Sequence, residues 1–409
     1  MRKFVALALI QLGFLAACGG GGYRAATIIV PPPSQNIATP GPPNVETLAV
    51  DAGPAGAVNA AFVSVKVCVP GSTTSCKTID HIEVDTGSVG LRIVSSVLTT
   101  APAITLPPHT DGTNPLAECL RFADGDAWGS LATADITFPV SMETAANVQV
   151  HIIGDPAYAT LPSDCMTNPE NTVATFGANG ILGVGPFAQD CGSACVGGIP
   201  STGAVYYSCP TPSTCAASPA TLVAQLQNPV TLFTTDFNGV IVELPAVAAA
   251  GATTVSGSLV FGIGTQTNNA LGTATVLPED PASGFITGTY KGTAYIDGYL
   301  DSGSNGNFFT DSSLTQCTTS TGFYCPSSTM SESATLQGTT TTTLMANFDV
   351  ANAETLFSTA SYTAFSNIGG PNPDTMGFDL GLPFFYGHNV FTAIEGNTVS
   401  GSMGPFFAY

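Results

Sequence analysis

Ile82-Glu83-Val84-Asp85-Thr86-Gly87-Ser88 and Tyr299-Leu300-Asp301-Ser302-Gly303-Ser304 are the two stretches on which the reading of this sequence turns. Each brings a carboxylate to the end of an extended run and follows it with a hydroxyl, a glycine and a second hydroxyl. Neighbouring hydroxyl and backbone N–H donors can hold a carboxylate at such a turn, and glycine supplies the backbone freedom the turn needs. Either string alone is an ordinary turn. Two of them facing each other make a carboxylate dyad, in which like charges in close proximity force one group to keep its proton. A dyad of that kind can activate water.

The start of the chain reads as an export signal. Met1-Arg2-Lys3 is a short basic region, Phe4 to Phe14 is apolar, and Leu15-Ala16-Ala17-Cys18 closes the segment with small residues. The pattern resembles a bacterial lipoprotein signal, with residues 1–17 removed and Cys18 the lipidated first residue. The apolar run falls short of the roughly 20 residues a membrane-spanning helix needs. Gly19 rather than Asp after the cysteine implies transfer to the outer membrane, facing the periplasm or the cell surface. Without Arg2 and Lys3 the mature chain keeps six basic residues against 28 acids, a formal charge of −22. Phosphate binding needs clustered Lys and Arg, so nucleic acid is excluded as a partner. Few lysines and many Thr, Ser, Gly and Ala suit a protein exposed to acid, and equally an acidic exported protein with no such exposure.

Ten cysteines remain after Cys18, an even number that in an exported chain reads as disulfides rather than metal ligands. Cys68 with Cys76 and Cys317 with Cys325 are local pairs, and Cys119 with Cys165 is a longer one. The connectivity among Cys191, Cys195, Cys209 and Cys215 stays open. Residues 18–55 are rich in Gly and Pro and read as a tether. Beyond it, runs of Val, Ile, Thr and Phe separated by Gly, Pro, Asn and Asp predict strands at Ala61–Val69, Ala134–Val140, Val148–Ile153, Val240–Leu244, Ser258–Gly262 and Thr289–Ile296. Pro219–Leu226 and Asp349–Leu356 are the clearest helix candidates. The expected fold class is mainly β.

With both Asp motifs placed, further pieces follow in the order found in the pepsin-like aspartic peptidases, which this chain resembles. Asp85-Thr86-Gly87-Ser88-Val89-Gly90-Leu91 is similar to that family's first catalytic loop, and Phe122-Ala123-Asp124-Gly125 to its flap hairpin. Gly180-Ile181-Leu182-Gly183-Val184-Gly185 is similar to the segment that passes behind the first Asp loop. Ser256–Gly262 resembles the opening of the second lobe, Asp301-Ser302-Gly303-Ser304 its catalytic loop, and Leu380–Phe385 its closing segment. The resemblance implies a bilobal acid-protease fold, with an N-terminal lobe over residues 56–250, a C-terminal lobe over 251–409 and a cleft between them. It also implies that Thr86 and Ser302 brace the loops, that Gly87 and Gly303 shape them, and that Ser88 and Ser304 hydrogen-bond the carboxylates.

Departures bear on the cleft. Phe122 stands where the family usually has Tyr, and Arg92 where it often has Trp, so the pair that bond each other there are both gone. Trp128, the chain's one tryptophan, lies in the same hairpin and is a candidate to cover the cleft, with packing an equal alternative. Arg92 is a candidate to tune a carboxylate or bind an acidic substrate group. Asp379 replaces an apolar residue just before Leu380-Gly381, and alternation puts Glu83 on the same side as Asp85.

The function these features imply is that of an exported, lipid-anchored, monomeric endopeptidase acting on peptide or protein substrates. Asp85 and Asp301 are its catalytic residues, and it needs no cofactor or metal. The alternative is a pepsin-fold binding module on the cell envelope that hydrolyses nothing. The four histidines form no H-E-x-x-H helix, and no G-x-S-x-G nucleophile elbow is present.

Overall fold

Alternating apolar residues set the two strands that lead to the first Asp motif. In Ala61–Cys68, Ala61, Val63, Val65 and Val67 are buried, and in Cys76–Asp85 the same holds for Ile79, Ile82 and Val84. The strands pair antiparallel from Phe62 opposite Glu83 to Cys68 opposite Cys76, and a disulfide closes that far end. The computed structural model describes residues 35–409, which form one compact unit. The expected signal peptide, Cys18 and the first part of the expected tether lie outside the described residues.

The structure is mainly β. Among the described residues the strands fall into a 15-stranded sheet, a 7-stranded sheet and a small pair, while the longest α-helices, Ser95–Thr99 and Ala353–Phe357, have five residues each. Among the described residues no helix is long and apolar enough to cross a membrane. Side chains from both larger sheets share one core, from Leu48, Val84 and Leu182 to Leu300, Phe378 and Leu380.

The two Asp motifs are built the same way. Cys76–Asp85 runs parallel to Gly180–Val184, with Asp85 opposite Gly183, and the chain returns as Val89–Val94 antiparallel to that same strand. Thr293–Leu300 runs parallel to Gly377–Leu380, with Leu300 opposite Leu380, and the chain returns as Asn307–Phe308 antiparallel to it. Each Asp turn therefore sits over a strand inserted between its entry and its exit. Gly183 allows the first crossing, because a Cβ there would lie 2.5 Å from the Val89 nitrogen.

The tether expected to run to residue 55 ends sooner. Val45–Val50 is a strand, paired antiparallel with Val255–Val260 and joined to Ala61–Phe62. Val45, Leu48 and Val50 are buried, and Glu46 is buried with its Oε2 accepting the N–H groups of Val140 and Ser141 at 3.0 Å each. Apolar alternation thus continues through a segment whose glycines and prolines suggest coil. The strand expected over Thr289–Ile296 is two strands, Ile286–Tyr290 and Thr293–Leu300, joined by a hairpin. Lys291 and Gly292 make its tip at φ +48° and +82°, the left-handed conformations such a two-residue turn requires.

Helix expectations hold only in part. Within Pro219–Leu226 a single turn forms at Leu222–Ala224, and the second helix begins at Ala353 because Asp349 belongs to the strand Thr343–Val350. Asn352 caps that helix by accepting the Thr355 N–H at 2.9 Å. The disulfides Cys68–Cys76, Cys119–Cys165 and Cys317–Cys325 form as expected, and the four open cysteines pair as Cys191–Cys195 and Cys209–Cys215.

Candidate active site

The two Asp turns meet, and hydroxyls lock them together. The Thr86 N–H donates to Ser302 Oγ at 3.1 Å, and the Ser302 N–H donates to Thr86 Oγ1 at 2.9 Å. The hydroxyls then donate past each other, Thr86 Oγ1 to the Leu300 carbonyl at 2.9 Å and Ser302 Oγ to the Val84 carbonyl at 2.7 Å. Thr86 and Ser302 are buried, so these four bonds also satisfy groups that water cannot reach. Each motif supplies the same donors and acceptors to the other, which gives the junction a twofold character.

This grip brings the carboxyl groups into contact. The side chains of Asp85 and Asp301 lie within hydrogen-bonding reach of each other. Each also accepts from the glycine two residues on, Gly87 N–H to Asp85 Oδ1 at 2.7 Å and Gly303 N–H to Asp301 Oδ1 at 2.8 Å. The glycines are required for closeness. A Cβ on Gly87 would lie 2.7 Å from Asp301 Cγ, and one on Gly303 would lie 2.8 Å from Asp85 Cγ. Asp85 is buried whereas Gly87 is exposed, so the turn reaches solvent beside the pair.

Symmetry ends at the second hydroxyls. Ser304 Oγ donates to Asp301 Oδ2 at 2.8 Å, but Ser88 Oγ is buried with no hydrogen-bond partner, so the expected bond from Ser88 to a carboxylate is not made. Burial, the adjacent Asp85 charge and the more distant Asp379 push the Asp301 carboxyl well above the usual range, partly offset by Ser304. Two carboxyls in contact cannot both ionise readily, and the pair retains one proton.

A second acidic group stands to one side. Glu83, partly buried two residues before Asp85, is raised to about 8 by burial and by the charges of Asp85, Asp124 and Glu170. Glu170 is itself raised to about 7, through burial and then Asp124 and Asp126. The hairpin tip that carries Asp124 is exposed at Ala123 and Asp124 and fastened at its base. A Cβ on Gly125 would collide with the Asn168 carbonyl, and Asp126 Oδ2 accepts the Thr167 N–H at 2.8 Å. Phe122 meets Phe176 edge-on at 5.7 Å and packs against Val94, Ala127 and Ile153.

Trp128 and Arg92, both candidates for the cleft, are interior, which for Trp128 is the packing alternative. Trp128 is 1% exposed, its indole N–H donates to the Tyr158 carbonyl at 2.7 Å, and its ring meets Tyr207 edge-on. Strand alternation in Asp126–Thr137 turns it toward the Cys119–Cys165 disulfide rather than the dyad. Arg92 is fully buried and bonds the Val89 carbonyl at 2.6 Å and Glu118 Oε1 at 2.7 Å, with Asp190 Oδ2 at 3.4 Å. His151 Nδ1 lies 3.0 Å from the other Glu118 oxygen. Burial opposes ionisation of Glu118, but Arg92 and then His151 outweigh it and hold its carboxyl below the usual range. Arg92 is therefore neutralised inside, where it ties the strand leaving the first Asp loop to its neighbours. Nothing in the local sequence signals this, since Glu118 and Asp190 lie 26 and 98 residues away.

Fold and site together define a mainly β protein with a closely apposed pair of aspartates at two like turns. Residues 40–409 match a family described as protein of unknown function (DUF3443), and the chain belongs to that family. No curated protein matches the chain.

Proposed function

We propose that this chain is an exported aspartic endopeptidase of the pepsin-like kind, its two lobes facing each other across a cleft and each lending one aspartate. The observation that carries this reading is the reciprocal Thr86–Ser302 bonding that sets Asp85 against Asp301. In this reading the pair shares one proton, carried on Asp301, and holds a water between its carboxyls. As the water attacks the scissile carbonyl carbon, Asp85 takes its proton while Asp301 gives its own to the carbonyl oxygen. Collapse of the resulting gem-diol breaks the C–N bond: the proton on Asp85 passes to the leaving nitrogen, and one hydroxyl proton of the diol returns to Asp301, which restores the singly protonated pair. Lipidation at Cys18 tethers the monomer to the outer membrane, where the substrate is a peptide or an unfolded protein.

Cleavage of denatured casein, followed from pH 3 to 8 with and without pepstatin, tests the assignment. Pepstatin-sensitive cleavage at acid pH is the expected result, with Asp85→Asn and Asp301→Asn each reducing it at least a thousandfold; full activity in both variants refutes it. The second reading, a binding module that hydrolyses nothing, draws on the unpartnered Ser88 hydroxyl beside the first aspartate. It calls for peptide binding without cleavage at any pH.

A further inference from the structure

Asp379 is a carboxyl that this mechanism leaves unused, although it stands beside the pair. It lies on the strand Gly377–Leu380, in register with Tyr299 on one side and Phe308 on the other. The residue is 3% exposed, and its Oδ1 is buried without a hydrogen-bond partner. The titratable groups that face it are Asp85 and Asp301, both of its own sign, and the Tyr299 phenol on the paired strand, and the hydroxyl within its reach is that of Ser304. An ionised carboxylate in this position has two like-signed neighbours and no donor of its own.

Counting hydrogens sharpens the point. Ser304 has one hydroxyl hydrogen, and it is placed on Asp301 Oδ2 at 2.8 Å. A protonated Asp379 can donate to the Ser304 oxygen and leave that hydrogen where it is. An ionised Asp379 can gain a donor only by drawing the Ser304 hydrogen away from Asp301. Resting on the peptidase reading above, we propose that Asp379 is a positioning residue: while protonated it holds the Ser304 hydroxyl on Asp301, and when it loses its proton to water Ser304 swings to it and the site turns off.

The order of proton loss follows from the layout. Removing the last proton of the pair leaves two carboxylates in direct contact, whereas Asp379 is separated from Asp301 by Ser304. Asp379 therefore ionises first as pH rises and sets the alkaline edge of activity. Burial and then the Asp85 charge raise its carboxyl well above the usual range, while Ser304 opposes them, which keeps the switch closed in acid.

Asp379→Asn supplies a neutral donor to Ser304 at every pH. With kcat/KM for a casein-derived peptide expressed relative to each protein's own maximum, the alkaline edge of Asp379→Asn is expected at least one pH unit higher, a tenfold gain in relative rate beyond the wild-type edge. An edge that stays put or moves down overturns the proposal. Carboxyl 13C NMR of the full chain labelled at aspartate gives a readout independent of cleavage, with the Asp379 signal assigned by its loss in Asp379→Asn. Its midpoint is expected well above the usual Asp range, at the wild-type edge, and shifted in Ser304→Ala; a midpoint near 4 overturns the proton on Asp379. Absence of cleavage by the wild type at every pH refutes the peptidase reading and the switch with it, while the titration still decides whether Asp379 holds its proton against Ser304.

Discussion

Glu83→Gln replaces a carboxyl that the fold keeps from ionising with a neutral group of the same shape. The Glu83 pKa rises from an ordinary 4.5 to about 8, chiefly through burial and then through the charges of Asp85, Asp124 and Glu170. Because the folded value is the higher one, the wild type has its full stability below pH 4.5 and loses stability as pH rises through 8. At about 1.36 kcal/mol per unit, that shift sets a ceiling of about 5 kcal/mol above pH 8. Solvent screening of a side chain that is only partly buried brings the expectation to about 2–3 kcal/mol. Urea denaturation with the disulfides intact measures it directly. Glu83→Gln should match the wild type at pH 4 and exceed it by that margin at pH 9. A stability difference that is the same at both pH values, or a variant that is the weaker at pH 9, refutes the reasoning.

Thr86→Ala removes the acceptor of the Ser302 N–H and the donor to the Leu300 carbonyl, two buried groups. It should cost about 2–4 kcal/mol in the same denaturation assay, while Thr86→Ser, which keeps the hydroxyl, recovers most of the loss. Gly303→Ala drives a methyl into Asp85 at 2.8 Å and should lower casein cleavage at least a hundredfold with less change in thermal midpoint than Thr86→Ala; wild-type cleavage would show that the pair need not touch. Arg92→Leu takes the buried guanidinium away from Glu118 and Asp190 and should destabilise the fold by about 3–5 kcal/mol, so a variant melting with the wild type would disprove the buried network.

The parts of the structure that local pattern controls were legible in the sequence. Strands such as Ala61–Cys68 follow from alternation, the two Asp turns from their repeated hydroxyl and glycine spacing, and the disulfides Cys68–Cys76 and Cys317–Cys325 from cysteine proximity. Local pattern failed where distant partners decide. Arg92 is interior because Glu118 and Asp190 reach it from other strands, and Ser88 lacks the bond that Ser304 makes although both motifs read alike. Val45–Val50 carried a strand signal that its Gly41 and Pro42-Pro43 neighbours obscured, and Lys291-Gly292 was a turn hidden inside an apparently continuous run.

The Thr86–Ser302 lock spans 216 residues, and the strand Val45–Val50 is zipped to Val255–Val260 from the other half of the sequence. A polypeptide lengthening from its amino end therefore has no assembled pair until Ser302 has appeared, and its first strand gains its long partner only with Val255–Val260. Any piece that stops short of Asp301 contains one aspartate turn at most, so the pair exists only where both halves of the sequence are present.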